Sequence, residues 1–333
     1  MLCLLAALVC IVLVGVAAWA TQRVAPWDFE RSNVLLTGGS VGIGLETAKA
    51  LVDRRVRHLI IAARREAVLR EAVAALEQRR QQTQSPTRLH YLVLDVSDEA
   101  AVAAATAKAT ALCDGEAIDL LICNAGFAHP ARFMDSTPQN AQDMMRINYF
   151  GCLNLAWAFM PAMLAQGRGR VVLMSSMAAR APIAGYTLYA ATKAALRAFA
   201  HSVDMENSCL GVRVQVVSPP DVETPGFEHE NTIKSPECAA ISAFGGAKPF
   251  QAPDMGAAVV AGIARYRFDI TLGSDGWLLS HGAAAMEPPT STVELLEETL
   301  VGGVIRLGLA VFAKFHYNIV RNIRCDRNEK KAK

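Results

Sequence analysis

Metal-ligand clusters, disulfide frameworks and one-sided charge are all missing from this sequence. Its eight cysteines contain no Cys-x-x-Cys pair, so the spacing that marks zinc ribbons and dithiol redox sites is absent. Cys113, Cys123, Cys152, Cys209, Cys238 and Cys325 are scattered and read as reduced thiols, mostly filling the core. His129, His201, His229 and His281 stand alone, and no metal site is expected. The formal net charge is only +2, which leaves no electrostatic footprint for nucleic acid. One further absence matters later: no acid stands at the end of the second apolar strand, where Arg64 and Arg65 are found instead.

Apolar residues are plentiful. They make up 52% of the chain, high for a soluble domain, which suggests membrane-seeking segments. Leu2 to Ala20 carry no charge and are long enough to cross a hydrocarbon layer of roughly 30 Å as a helix. Two readings compete. Ala18-Trp19-Ala20 imitates a small-x-small cleavage site, but there is no basic n-region, so an uncleaved anchor over residues 1–22 is favoured. Arg23 and Arg31 follow it and no side-chain charge precedes it, which places the next domain in the cytosol.

Beyond the anchor the chain alternates short apolar strands with helical stretches. Strands are expected at Asn33–Thr37, His58–Ala63, Leu89–Val96, Ile118–Cys123, Arg170–Met174 and Val212–Val217. The first runs into Thr37-Gly38-Gly39-Ser40-Val41-Gly42-Ile43-Gly44 and then a helix around Leu45 to Arg54. Strand, glycine-rich turn and helix let a backbone approach a pyrophosphate at a helix N-terminus. Arg64, about 20 residues beyond the last glycine, suits a ribose 2′-phosphate better than a free 2′-hydroxyl. NADPH is therefore the expected cofactor, with Ser40 as a second contact to that phosphate. Surface arginines opening a polar helix are the plain alternative. Asp95, placed on the third strand with Val96 beside it, either accepts from the adenine amino group or caps the next helix, a task for which Ser97 and Asp98 are equally suited. Asn124-Ala125-Gly126 ends the fourth strand with residues small enough for close passage of the cofactor, and Asn124 is expected to brace the central strands.

The chemistry centres on Tyr189-Ala190-Ala191-Thr192-Lys193. Residues i and i+4 share a helix face, so a phenol and an ammonium point into one space, where the cation is expected to draw the phenol pKa down toward the working range. Tyr186 lies nearby, but its i+4 neighbour is Ala190 and supplies no cation. Ser175-Ser176 ends the fifth strand 13 residues before Tyr189, room for a loop to bring a hydroxyl and the phenol to one carbonyl oxygen.

Thr37 to Gly44, Asn124-Ala125-Gly126, Asn148, Ser176 and Tyr189 with Lys193, in that order, resemble the short-chain dehydrogenase/reductase superfamily over roughly residues 31–280. The resemblance implies an α/β doubly wound parallel-sheet Rossmann fold. It also assigns roles. Tyr189 becomes the proton donor, Lys193 holds the nicotinamide ribose, Ser176 (or Ser175, one residue away) orients the substrate carbonyl, and Asn148 holds a water in a proton relay. Gly38, Ser40, Gly42, Ile43, Gly44, Arg64, Asp95, Val96, Asn124, Ala125, Gly126, Val222 and Thr224 become the cofactor contacts, together with Tyr189 and Lys193.

A narrower likeness lies in Pro219-Pro220-Asp221-Val222-Glu223-Thr224-Pro225-Gly226-Phe227 and in Thr271-Leu272-Gly273-Ser274-Asp275-Gly276-Trp277. These stretches resemble the 3-ketodihydrosphingosine reductase branch, which implies a long-chain sphingoid ketone as substrate, membrane lipid as surroundings, an endoplasmic-reticulum location and room for a homo-oligomer. Pro220 stands where the wider family has glycine, and it removes an N–H. Residues 226–253 are expected to cover the substrate, and Glu223, Glu228 and Glu230 are candidate partners for a sphingoid amine. The segment 281–333 reads as an apolar and basic extension. Arg306 and Lys314 interrupt its apolar run, favouring a membrane-surface helix over a second span. Rival expectations are reduction of a 3-ketoacyl-CoA, retinaldehyde or a steroid, or a catalytically idle membrane scaffold.

Overall fold

A strand that reads as an unbroken apolar run must be covered on both faces. β1 (Asn33–Thr37), β2 (His58–Ala63), β3 (Arg88–Val93), β4 (Leu120–Cys123), β5 (Gly169–Met174) and β6 (Val212–Val217) are mostly apolar and buried along their length, except for the half-exposed β3, and Arg170, Arg213 and Gln215 are the polar side chains buried with β5 and β6. The computed structural model describes residues 24–244, 248–282 and 291–331. In it these strands form a parallel sheet in the order β3-β2-β1-β4-β5-β6-β9, closed at one edge by β9 (Asp269–Ile270). Two-residue strands β7 (Val222–Glu223) and β8 (Phe250–Gln251) pair separately.

Helices cover both faces. Val34, Leu36, Leu120 and Ile122 face a cluster with α1 (Gly42–Asp53), α2 (Glu66–Gln82) and α9 (Ala252–Arg265); Leu35, Leu121 and Val171 face α3 (Glu99–Leu112), α5 (Gly151–Gln166) and α6 (Thr187–Asn207). The alternation along each strand sorts side chains between the two cores. Between β6 and α9 come α7 (Pro225–Ile233) and α8 (Pro236–Ser242), and α10 (Gly273–Gly282) and α11 (Thr292–Lys331) complete the described chain. β1 pairs with β2 on one side and β4 on the other, so strand order reverses there. A crevice opens at the carboxyl ends of strands at such a switch point.

The doubly wound sheet agrees with the sequence reading, and β1, β2 and β6 keep their expected ends. β3 does not. It stops at Val93, so Asp95 lies beyond the strand. Helix α1 starts at Gly42, inside the glycine-rich stretch rather than at Leu45. The expected anchor, residues 1–22, lies outside the described residues. Among the described residues one helical run, 138–166, is long and apolar enough to span a membrane, but Cys152, Leu155, Phe159 and Met163 on it are buried in the core.

One buried ionic cluster ties the loop after β5 to the end of the sheet. Asp269 forms an ion pair with Arg180 at 2.9 Å and accepts from Arg197 at 3.1 Å, with all three side chains less than 10% exposed. Arg180 also donates to the carbonyl of Leu279 in α10. Asp269→Asn keeps the shape but withdraws the charge from two buried guanidinium groups. Urea unfolding is expected to show a loss of about 3–5 kcal/mol.

Candidate active site

The turn after β1 sets the floor of the site. Gly38 and Gly42 adopt left-handed φ values of 66° and 55°, which side chains disfavour. The turn is also sterically closed. A Cβ on Gly44 would stand 2.1 Å from the Gly38 carbonyl and 2.5 Å from the Asn124 amide. Asn124 Nδ2 donates to that carbonyl at 3.0 Å, so it braces the turn as expected. Across the loop, the Thr224 side chain would lie 3.1 Å from a Cβ on Gly42. Its hydroxyl caps α7 by accepting from Phe227 N. Val222 is buried and pairs with Phe250.

Beside this turn a cleft of about 160 Å³ is lined by Gly38, Ser40, Arg64, Asp95, Val96, Ala125 and Gly126. Seven expected cofactor contacts thus meet in one place. Gly42, Ile43 and Gly44 form the first turn of α1 instead, and the Ile43 side chain packs toward the core. The cleft also takes in Arg65, named with Arg64 at the strand end but given no contact of its own, and Phe127 and Ile147, which sequence reading missed. Arg65 is adjacent to Arg64, and Phe127 follows the Asn124-Ala125-Gly126 motif, so position in sequence was the available signal for both. The fit to a dinucleotide is steric as well as polar. A Cβ on Gly126 would press to 3.3 Å from Lys193 Nζ, at the junction of cleft and catalytic residues.

Asp95 neither sits on β3 nor caps α3. Its carboxylate accepts from Ser97 N at 2.9 Å and Ser97 Oγ at 2.7 Å, while Asp98 is the cap, accepting from Ala101 N. Burial pushes the Asp95 pKa up, but the Ser97 hydrogen bonds and the fields of Arg64 and Arg146 outweigh it, and the group ends below its ordinary value.

Tyr189 and Lys193 lie on the first turns of α6. Ser176 Oγ accepts from Ala178 N at 3.1 Å, which leaves its proton free to be donated elsewhere. Ser175 turns away, donating to the Lys193 carbonyl at 2.9 Å, so Ser176 is the serine that faces Tyr189. Lys193 is 4% exposed and its Nζ donates to the Met174 carbonyl at 2.7 Å. No sequence signal marks that carbonyl.

One expectation needs correction. The Tyr189 phenol is not drawn down. Burial drives the Tyr189 pKa up and Glu230 and Asp221 add to the rise, with a hydrogen bond to Ser176 acting against it. The ammonium lies 5.6 Å from the ring centroid, aimed at Met174 rather than at the phenol oxygen. Tyr189 therefore holds its proton, as a donor to a carbonyl oxygen must. Asn148 sits in a π-turn (Arg146–Phe150) between α4 (Pro138–Met145) and α5. Its side chain holds two neighbours: Oδ1 accepts from Phe127 N, and Nδ2 donates to Phe127 O and to Thr192 Oγ1. The Asn148 backbone carbonyl, an acceptor open to a relay water, also accepts a weak bond from the Cys152 thiol at 3.3 Å.

Residues 32–234 match the family model described as short chain dehydrogenase. The chain belongs to the short-chain dehydrogenase family. It is 31% identical to a bovine 3-ketodihydrosphingosine reductase, with 90% of this chain and 88% of the relative aligned. It is 33% identical to a 3-dehydrosphinganine reductase of Arabidopsis thaliana, over 90% of this chain and 87% of that one. Among solved structures it resembles a short-chain dehydrogenase of Streptomyces avermitilis, with a TM-score of 0.63, 25% identity and coverage of 83% and 97%. Another such dehydrogenase, from Sphingobium yanoikuyae and in complex with NADPH, gives a TM-score of 0.61 at 25% identity, covering 72% and 87%. As a family member the protein is an oxidoreductase of the NAD(P)-using kind, and the cleft lies where a dinucleotide binds at a switch point.

Burial lowers the Lys193 pKa to about 8. The ammonium is thus present at neutral pH and is lost as the pH rises through that value. Dinucleotide affinity, followed by NADPH fluorescence from neutrality upward, is expected to weaken through about pH 8. Lys193→Met should bind weakly at every pH and show no such break.

Proposed function

We propose that the protein reduces 3-ketodihydrosphingosine (3-dehydrosphinganine) to dihydrosphingosine (sphinganine), with NADPH as its cofactor. The observation that carries this reading is similarity to reductases of that name over 90% of the chain, well past the end of the matched family model. The site geometry supplies the chemistry. Ser176, whose Oγ accepts from Ala178 N, turns its proton from the Tyr189 oxygen to the ketone oxygen. Tyr189, kept protonated by its surroundings, transfers the phenolic proton to the same oxygen as the alcohol forms. Bound NADPH supplies the hydride to the carbonyl carbon. Lys193 offers its ammonium beside Gly126, where a ribose hydroxyl would lie. The paired Arg64 and Arg65, with Ser40, suit a 2′-phosphate, and no acid lines that part of the cleft to repel it except Asp95, which is tied to Ser97.

The same reading divides the chain into an anchor over residues 1–22, a catalytic domain over 31–280 and a membrane-associated extension over 281–333. It sets the protein on the endoplasmic-reticulum membrane with its catalytic domain in the cytosol. Supporting this, Val293, Leu300, Val304, Val311 and Phe315 are all exposed on α11. Their spacings of 7, 4, 7 and 4 keep them on one face of a helix, an apolar stripe suited to lying in a bilayer interface. A substrate with a long alkyl chain partitions into lipid, so a lipid-bound enzyme meets it there.

Detergent-solubilised protein should oxidise NADPH with 3-ketosphinganine but not with a long-chain 3-ketoacyl-CoA, retinaldehyde or cortisone. Arg64→Glu should narrow the preference for NADPH over NADH, and Tyr189→Phe should abolish turnover while NADPH still binds. Turnover of a different carbonyl would discard the substrate, and activity of Tyr189→Phe would discard the mechanism. Protease treatment of sealed microsomes should remove a C-terminal tag; protection of that tag would contradict the cytosolic placement.

A further inference from the structure

Above Tyr189 stands a carboxylate with no cation of its own. α7, capped by Thr224 and begun by Pro225, carries Glu230 to the mouth of the site, where its Oε2 accepts from the Tyr186 hydroxyl at 2.7 Å. Tyr186 is 5% exposed, and its ring lies 5.4 Å from that of Tyr189 at a 50° tilt. Among the described residues no ion pair is formed by Glu230. Lys234, the nearest candidate on its own helix end, holds its ammonium over the rings of Phe227 at 4.2 Å and Tyr186 at 5.8 Å and donates to Ser242. Lys193 is committed to Met174.

A half-buried carboxylate held by one neutral donor is an expensive arrangement unless a cation arrives. Burial accordingly pushes the Glu230 pKa up, against the pull of Tyr186 and Lys234. Its field also reaches the reacting group, since it is one of two carboxylates that raise Tyr189. The other, Asp221, lies in the turn before β7. The remaining acids of this segment are occupied or remote: Glu223 is exposed and accepts from Gln251, and Glu228 is exposed on α7.

In a 2-amino-3-ketone the ammonium is separated from the carbonyl carbon by a single carbon. Placing the ketone oxygen at Ser176 and Tyr189 therefore brings the ammonium beside the same hydroxyls. We propose that Glu230, oriented by Tyr186, receives the ammonium of the substrate and selects 2-amino ketones over uncharged long-chain ketones. Tyr186 is a positioning residue in this arrangement. The inference rests on the sphingoid-ketone reading above and names the residue that makes the substrate's charge count.

The test compares 3-ketosphinganine with its desamino counterpart, 1-hydroxyoctadecan-3-one, in the full-length protein. The readout is the ratio of the two kcat/KM values, because any effect of Glu230 on the Tyr189 proton is common to both ketones and cancels. Glu230→Gln should lower that ratio by roughly 30-fold or more, mainly through the KM of the amino ketone. Tyr186→Phe should lower it less and in the same direction, and Glu230→Asp should restore part of it. Inhibition by sphinganine should weaken in Glu230→Gln while inhibition by N-acetylsphinganine does not. An unchanged ratio in a Glu230→Gln protein that still binds NADPH overturns the ammonium site and leaves the sphingoid reading standing. A wild-type protein that reduces only the desamino ketone overturns both.

Discussion

The site exists because two backbones touch. The Gly38 carbonyl meets Gly44 and the Asn124 amide at distances that admit no side chain. This contact joins the turn after β1 to the end of β4, the two strands between which the sheet reverses its order. From there the rest follows in sequence. Ala125 and Gly126 are drawn to the cleft wall, Phe127 comes within reach of Asn148, and Asn148 in turn holds Thr192, one residue before Lys193. Cofactor cleft and catalytic helix are thereby fixed to each other through side-chain amides rather than through loose packing.

At Tyr189 and Lys193 burial outweighs pairing. A cation four residues from a phenol suggests a simple acid–base couple, yet desolvation moves both groups toward neutrality: Lys193 falls to about 8 and Tyr189 rises. A carboxylate from a distant helix reinforces the second shift. The outcome is a tyrosine that keeps its proton until a carbonyl oxygen can take it. That suits reduction better than the early ionisation suggested by the helical spacing alone.

Much of the architecture was legible because apolar runs bounded by turn residues leave little choice. β1, β2 and β6 ended where their sequences do. β3 is shorter than its apolar pattern because Leu94 and Val96, which prolong that pattern, are buried in the core beside α3 and α5 after the strand has ended at Val93. The glycine turn, Asn124, Ser176 and the Tyr189/Lys193 pair were readable as local motifs. Tyr186 has Ala190 rather than a cation four residues on, and its true partner, Glu230, is 44 residues away. Likewise the Arg180–Asp269–Arg197 cluster joins residues that no spacing rule connects.

The π-turn at Arg146–Phe150 has a bearing on how this chain can vary. A wide turn holds one residue more than a regular helix needs, and such insertions are rare because they weaken local hydrogen bonding. Removing one residue there would smooth α4 into α5 and yield a better-formed helix. It would also swing every side chain before the cut by about 100° relative to those after it, and Asn148 would lose either Phe127 or Thr192. A shortened descendant would gain local regularity and forfeit the alignment of its two halves, so the irregular length of this segment is a fixed dimension of the enzyme rather than a tolerated flaw.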